Sequence, residues 1–159
     1  MEIKKTISVK KFKRFKERNT EKIKRIIVHC SDYEGEHNIF SVHKWHLMNG
    51  WAGCGYHFFI TKYGHVQRGR KLNWVGCHTR GFNRNSIGIC LEGKQRFSKA
   101  QAETLMKLID FLKRMYGIKK VNGHRFYSPL KTCPNFSVKQ FLETGEIVFS
   151  KSRIYQSRS

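Results

Sequence analysis

The chain has 159 residues, and its 32 lysines and arginines outnumber its 11 acidic residues to give a formal net charge of +21. A hydrophobic content of 39% is enough for one globular domain with a core and excludes general disorder. No apolar run approaches the ~20 residues that span a membrane, and no signal peptide is recognised, so we expect synthesis in the cytoplasm. The charge predicts a polyanionic partner such as nucleic acid, anionic lipid or the bacterial envelope.

The first predicted segment is a basic N-terminal arm over 1–25, in which eleven basic and three acidic residues sum to +8. Charge runs of this kind are usually solvated. The alternative is an arm that docks onto an acidic surface. We place the start of the folded domain at residue 26.

Strands and helices are predicted to alternate through 26–143. Ile26-Ile27-Val28 is a β-branched run that predicts a buried strand with His29 at its end. Further predicted elements are a helix over 41–48, a hairpin with strands over 56–60 and 65–69, and a buried strand over 86–91.

The clearest helix begins after Ser98, which fits a capping box with Gln101, and ends at Gly117. A shorter helix is predicted over 137–143, and the polar, basic tail over 144–159 is expected to fray at its end. This mixture predicts an α/β domain over 26–143, with a central mixed sheet flanked by helices.

The cysteines argue against a disulfide framework. There are five of them, an odd number, and none forms a CxxC pair. Free thiols are the simpler interpretation. A single bridge between Cys54 and Cys77 is the alternative.

Three residues on separate stretches form the candidate metal site: His29, His124 and Cys133. Structural zinc sites usually take four protein ligands, often in close pairs, whereas catalytic sites take three and leave one position for water or substrate. Singly, each candidate has an ordinary explanation, as a structural histidine, a loop histidine and a buried thiol. Lys131 precedes the cysteine by two residues, so we predict that its charge lowers the thiol pKa and favours metal binding.

The other histidines form weaker candidates. His43 and His46 lie three residues apart on a predicted helix and could share a face, but no third ligand has an evident place beside them, so we expect surface histidines. His37, His57 and His65 have no predicted partner.

Short motifs in a fixed order give a more specific indication. They are Val28-His29-Cys30-Ser31, Gly50-Trp51, Gly55-Tyr56-His57-Phe58, Gly69-Arg70, Asn83-Arg84-Asn85-Ser86-Ile87-Gly88, Gly123-His124-Arg125, Ser128-Pro129 and Lys131-Thr132-Cys133-Pro134. Together they resemble the type 2 N-acetylmuramoyl-L-alanine amidases, a family that includes phage endolysins and peptidoglycan recognition proteins. The resemblance covers roughly residues 13–143.

The resemblance implies a zinc ion in a groove on one face of the domain, held by His29, His124 and Cys133. It implies that Tyr56 and Lys131 are catalytic and that His78 binds substrate. The substrate would be the amide between the lactyl group of N-acetylmuramic acid and L-alanine in peptidoglycan.

Two residues depart from the pattern of the family. Phe126 stands where many relatives carry an acid after His-Arg, which puts the support of the metal ligands in question. Asn135 replaces a common glycine after Cys-Pro.

The resemblance also predicts a biological setting. We expect a monomeric endolysin that is made in the host cytoplasm, is released by a holin and cuts the cell wall. One alternative is a regulator that binds a phage RNA polymerase, because Phe15-Lys16-Glu17-Arg18 is similar to the N-terminal segment of coliphage members. Another is a cytoplasmic amidase that recycles anhydro-muropeptides. The basic arm would contact the anionic envelope or nucleic acid, although its aromatic residues are too sparse for base stacking.

Overall fold

The computed structural model describes residues 3–152. Its centre is a six-stranded sheet in the order β1-β4-β3-β5-β2-β6. The strands are β1 (Ile3–Thr6), β2 (Arg25–Cys30), β3 (Phe58–Ile60), β4 (Val66–Arg68), β5 (Ser86–Leu91) and β6 (Lys120–Gly123). Only the β3–β4 hairpin is antiparallel, and the other four pairings are parallel. The predicted α/β class with a mixed sheet is therefore confirmed.

Four α-helices and three short 3-10 helices complete the described chain. The α-helices are α1 (Ile39–Met48), α2 (Lys99–Tyr116), α3 (His124–Tyr127) and α4 (Val138–Thr144). The 3-10 helices are Val9–Lys11, Thr20–Lys22 and Asn83–Asn85. None of the helices within residues 3–152 has the length and apolar character to cross a membrane.

Helix α2 has the ends that the sequence predicts. The Ser98 side chain accepts a hydrogen bond from the Gln101 backbone N–H, and the Gln101 side chain accepts one from the Ser98 N–H. Gly117 ends the helix in the left-handed conformation, which glycine adopts without steric cost. The buried stripe of α2, including Leu105, Ile109 and Leu112, packs into the larger of two hydrophobic clusters.

The sheet is buried on both faces. Strands β2 and β5 pair in parallel along six residues, from Arg25 opposite Ser86 to Cys30 opposite Leu91. Side chains alternate in direction along a strand, so Phe58 and Ile60 join the cluster beneath α2, whereas Phe59 joins the cluster that contains Val42 of α1. This second face is the one that carries the candidate site.

The described part of the basic segment is attached to the domain, although most of its charged side chains are exposed. Strand β1 pairs in parallel with β4, and Glu17 forms a bridge with Trp74. Ile7 and Phe12 are buried in the second hydrophobic cluster. These contacts could not be predicted from the charge of the segment. Isolated apolar side chains between lysines form no periodic pattern in the sequence, but they still bury apolar surface area in the folded protein.

The beginning of the C-terminal tail is also attached. Phe149 forms a bridge with Phe136, and the Ser150 carbonyl accepts a hydrogen bond from the buried Arg125 guanidinium. The predicted fraying concerns the end of the tail, and residues 153–159 lie outside the described part of the chain.

Candidate metal centre and active site

The parallel strands bring the candidate ligands together. His29 is the next-to-last residue of β2, and His124 follows β6 directly as the first residue of α3. Because β2 and β6 are parallel neighbours, their carboxyl ends lie at the same edge of the sheet. This edge is where ligands usually bind in parallel sheets.

His29, His124 and Cys133 form the one cluster of possible metal ligands within residues 3–152, with ligand atoms that all lie within 4.8 Å of one another. His29 Nδ1 lies 3.8 Å from Cys133 Sγ. A tetrahedral zinc ion with Zn–N and Zn–S bonds of about 2.1 and 2.3 Å would separate these two atoms by roughly 3.5 Å. The spacing and the chemistry of the donors therefore fit zinc.

Backbone hydrogen bonds place Cys133 beside the two histidines. The Arg125 N–H donates to the Cys133 carbonyl at 2.8 Å, which ties the cysteine loop to α3. The Cys30 N–H donates to Cys133 Sγ at 3.3 Å, which ties the thiol to the end of β2. Asn135 turns the chain after the cysteine with a φ of 67°. Asparagine tolerates this left-handed conformation better than most residues, which explains how it substitutes for glycine.

Both histidines are held in their neutral, metal-binding form. Burial lowers the pKa of His29 well below its usual value, and the nearby His124 and His46 lower it further. Burial also lowers the pKa of His124 to about 4, with a second contribution from the charge of Lys131. At neutral pH each imidazole therefore has a nitrogen lone pair available for a metal.

The predicted effect of Lys131 on Cys133 is wrong. The pKa of the Cys133 thiol is raised well above its ordinary value, chiefly by burial and then by Cys30. Proximity in sequence misled the prediction, because desolvation of the buried thiolate is the largest influence on the Cys133 pKa. In the metal-free protein the sulfur is a thiol, so zinc must displace its proton.

Tyr56 lies beside the candidate ligands. Its ring centroid is 5.1 Å from that of His29, and the tyrosine side chain hydrogen-bonds the Cys90 thiol on the neighbouring strand β5. Burial raises the Tyr56 pKa well above its usual value. The phenol is therefore protonated at neutral pH and can donate a hydrogen bond.

An open groove of about 760 Å³ leads to the site. Its lining combines aromatic and basic side chains with the candidate ligand His124. The lining includes Trp51, His78, Arg80, Asn83, His124, Tyr127 and Lys131. The predicted site residues Lys131 and His78 thus lie on the walls of one groove.

The rival histidines have structural partners. His43 Nδ1 accepts a hydrogen bond from the Cys54 N–H at 3.0 Å, and His46 Nδ1 accepts one from the Gly55 N–H at 2.8 Å. These contacts hold the loop before Tyr56 to α1. The surface prediction is wrong for His43, which is 5% exposed because α1 turns it against this loop.

The remaining open questions from the sequence have direct answers. All five cysteines are free thiols, so the alternative of a Cys54–Cys77 bridge is wrong.

His57 is buried, and its Nε2 contacts the Trp74 carbonyl at 2.9 Å. Phe126 is 42% exposed and packs edge-on against Tyr127.

Two residues that contact the candidate ligands, Cys30 and Thr79, were not predicted from the sequence. Cys30, which contacts Cys133, directly follows His29 in the chain. Thr79 Oγ1 lies 3.3 Å from His29 Nε2 and directly follows His78. Both residues directly follow a predicted site residue in the sequence, and this was the only indication of their role. A contact between two residues that are 50 positions apart, such as that of Thr79 with His29, cannot be recognised from a local sequence pattern.

Comparison with known proteins identifies the family. The N-acetylmuramoyl-L-alanine amidase family model matches residues 19–136. The endolysin of Escherichia phage T7 is 36% identical over 146 residues, which cover 86% of this chain and 95% of that relative. The endolysin of Enterobacteria phage T3 is 36% identical over 135 residues, with coverage of 79% and 89%.

A solved structure agrees with the sequence relatives. The N-acetylmuramoyl-L-alanine amidase LysC from Clostridium intestinale URNW superposes with a TM-score of 0.74 at 26% identity. The match covers 82% of this chain and 87% of LysC. By sequence and by fold, the chain belongs to the N-acetylmuramoyl-L-alanine amidase family.

Proposed function

We propose that the amidase activity of this chain depends on a zinc ion held by His29, His124 and Cys133. The chain is an endolysin-type N-acetylmuramoyl-L-alanine amidase, which hydrolyses the amide between the lactyl group of N-acetylmuramic acid and L-alanine. The observation that carries the zinc proposal is the convergence of two neutral imidazoles and one thiol within 4.8 Å, beside the groove that His124 lines.

Three protein ligands would leave zinc free to bind water or the substrate carbonyl as well. When bound, zinc lowers the pKa of a coordinated water toward ~7 and polarises the amide carbonyl. The protein holds the three ligands in a mostly buried arrangement, since His29 is 1% exposed and Cys133 is partly buried. Little reorganisation is then needed during the reaction.

Lys131 and Tyr56 are the proposed catalytic residues. The Lys131 ammonium lies on the groove wall near His124, where its charge stabilises the oxyanion that forms as the amide is attacked. Tyr56 remains protonated beside His29, so its hydroxyl can orient the attacking water or the carbonyl by donating a hydrogen bond.

The biological role that we propose is host lysis. The T7 and T3 relatives are endolysins, and peptidoglycan is the substrate that the family implies. We propose release to the cell wall through a holin and action as a monomer. An interaction with a phage RNA polymerase stays a prediction from Phe15-Lys16-Glu17-Arg18.

The test compares two histidine variants on purified sacculi. His124→Ala removes a proposed ligand, whereas His65→Ala removes an exposed histidine on the β3–β4 turn. We expect His124→Ala to lose bound zinc and release less than about 1% of the wild-type muropeptides, because removing a ligand disrupts the metal site. His65→Ala should match the wild type in both measurements.

Mass spectrometry of the products identifies the bond that is cut and the substrate class. Cleavage of intact sacculi supports an endolysin, and cleavage restricted to soluble anhydro-muropeptides would support a recycling amidase instead. Full activity of His124→Ala, or of the wild type after exhaustive chelation, would refute the proposed role of zinc.

A further inference from the structure

The two ring nitrogens of His29 face different neighbours. Nδ1 faces the candidate metal position and lies 3.8 Å from Cys133 Sγ. Nε2 faces away from it and lies 2.8 Å from His78 Nδ1. If His29 binds zinc, it therefore does so through Nδ1, and Nε2 must carry the ring hydrogen.

This assignment determines the hydrogen bonds behind the ligand. With its hydrogen on Nε2, His29 donates to His78 Nδ1, which must then be the unprotonated nitrogen of its ring. The hydrogen of His78 accordingly lies on Nε2, which is 3.2 Å from Ser86 Oγ. One set of tautomers thus satisfies the whole chain from His29 through His78 to Ser86.

His78 is held firmly enough to act as a fixed acceptor. The Asn83 side-chain oxygen accepts hydrogen bonds from the backbone N–H groups of His78 and Thr79, each at 2.9 Å. The imidazole also packs against two glycines. A Cβ atom at either Gly76 or Gly88 would lie 2.7 Å from the His78 ring, which is too close for a real contact.

We propose that His78 is a positioning residue that fixes the tautomer and orientation of His29 for zinc binding through Nδ1. The proposal rests on the proposed zinc site and extends it to a second layer of residues. Both His78 nitrogens have partners inside the protein, His29 and Ser86. The hydrogen-bonding capacity of His78 is therefore used inside the protein, and one of its two nitrogens supports the ligand.

The test measures zinc affinity, without reference to activity, by competition with a chromophoric chelator. His78→Ala removes the acceptor, and we expect zinc to bind ~10- to 100-fold more weakly, as is typical for residues that orient metal ligands. His78→Asn is the conservative variant, because its side-chain oxygen can take the position of Nδ1. We expect it to retain affinity within about threefold of the wild type.

Nitrogen-15 NMR of the unsubstituted protein tests the same proposal without a variant. We expect the spectrum of the zinc-free protein to show the His29 hydrogen on Nε2. A hydrogen on Nδ1, or wild-type zinc affinity in folded His78→Ala, would overturn the role of His78. Failure of the wild-type protein itself to bind zinc would instead refute the proposed metal site.

Discussion

At the scale of the single residue, Lys131 combines a proposed role toward the substrate with an electrostatic effect on the candidate ligand His124. Its charge lowers the pKa of His124, and its side chain lies on the wall of the groove. The two effects can be separated, since burial alone is the larger cause of the low His124 pKa. Removing the charge should therefore leave the ligand neutral while it removes oxyanion stabilisation.

We predict that Lys131→Ala lowers kcat by ~10²- to 10³-fold, the loss expected when one oxyanion-stabilising group is removed. Zinc content should not change. The pKa of His124 should rise from about 4 but stay below its ordinary value, because burial remains. Kinetics on sacculi and an NMR titration of the zinc-free protein measure these quantities. Lys119→Ala, which removes an exposed lysine outside the groove lining, is the control and should change neither kcat nor the His124 pKa.

In the proposed zinc site, we expect Cys133 to determine how zinc binding depends on pH. Its pKa is raised, so the thiol is protonated through the neutral range, and zinc must displace that proton. His29 and His124 have lowered pKa values and are already neutral there. Zinc affinity should therefore rise about tenfold for each pH unit between about 6 and 8, because one proton is released.

Competition titrations at several pH values measure this slope. Cys133→Asp provides the comparison, since the ordinary pKa of an aspartate is ~3.9 against ~8.5 for a cysteine, so that the same burial leaves the aspartate far more ionised in this range. Its zinc affinity should be almost independent of pH. An equally steep slope in Cys133→Asp would show that the released proton comes from another group.

At the scale of the element, the basic N-terminal segment is joined to the domain through Arg18. Its guanidinium donates to the carbonyls of Leu72, Asn83 and Ser86, at 2.9, 3.0 and 2.7 Å. Burial lowers the Arg18 pKa to about 10, so the side chain keeps its charge at neutral pH. These hydrogen bonds attach the segment to the start of β5 and to Asn83, whose side chain accepts a hydrogen bond from the His78 backbone.

We predict that Arg18→Met lowers the free energy of unfolding by about 2–4 kcal/mol, because several charge-assisted hydrogen bonds are lost and the carbonyls that accepted them are left without a donor. Lys16→Met removes a charge from an exposed side chain in the same segment and should change it by less than about 0.5 kcal/mol. Urea denaturation followed by circular dichroism measures both. Equal stabilities would mean that the segment is not anchored by Arg18.

Sequence patterns predicted the elements that have clear hydrophobic periodicity or caps. Strands β2 and β5 are apolar runs, and α2 has an amphipathic stripe between Ser98 and Gly117. The patterns did not predict β1 and β6, whose sequences are IKKT and KVNG. These edge strands form because β4 and β2 supply pairing partners, which is tertiary information.

At the scale of the whole molecule, the candidate site too could be predicted from the sequence only in part. The residue types and motif order identified His29, His124 and Cys133, which the fold brings together. The raised pKa of Cys133 and the contact of His78 with His29 depend on burial and on strands distant in sequence. Neither property has a local signal, so both required the structure.

Net charge is the property of the whole molecule that bears on its substrate. At +21 we expect the protein to be attracted over long distances to the carboxylates of peptidoglycan. Such attraction raises the local enzyme concentration on sacculi, but it does not alter the chemistry in the groove. Salt screens it over about 10 Å at 0.1 M.

We therefore predict that raising salt from about 50 to 300 mM increases KM on intact sacculi several-fold and leaves kcat nearly unchanged, because only the long-range attraction is screened. A double variant, Lys107→Glu with Lys113→Glu, tests the charge itself. Both lysines are exposed on α2, and each substitution removes two charge units, which lowers +21 to +17. Its KM at low salt should shift toward the high-salt value of the wild type. A salt effect on kcat in either protein would place the sensitive charges inside the groove, with Lys131 the first to examine.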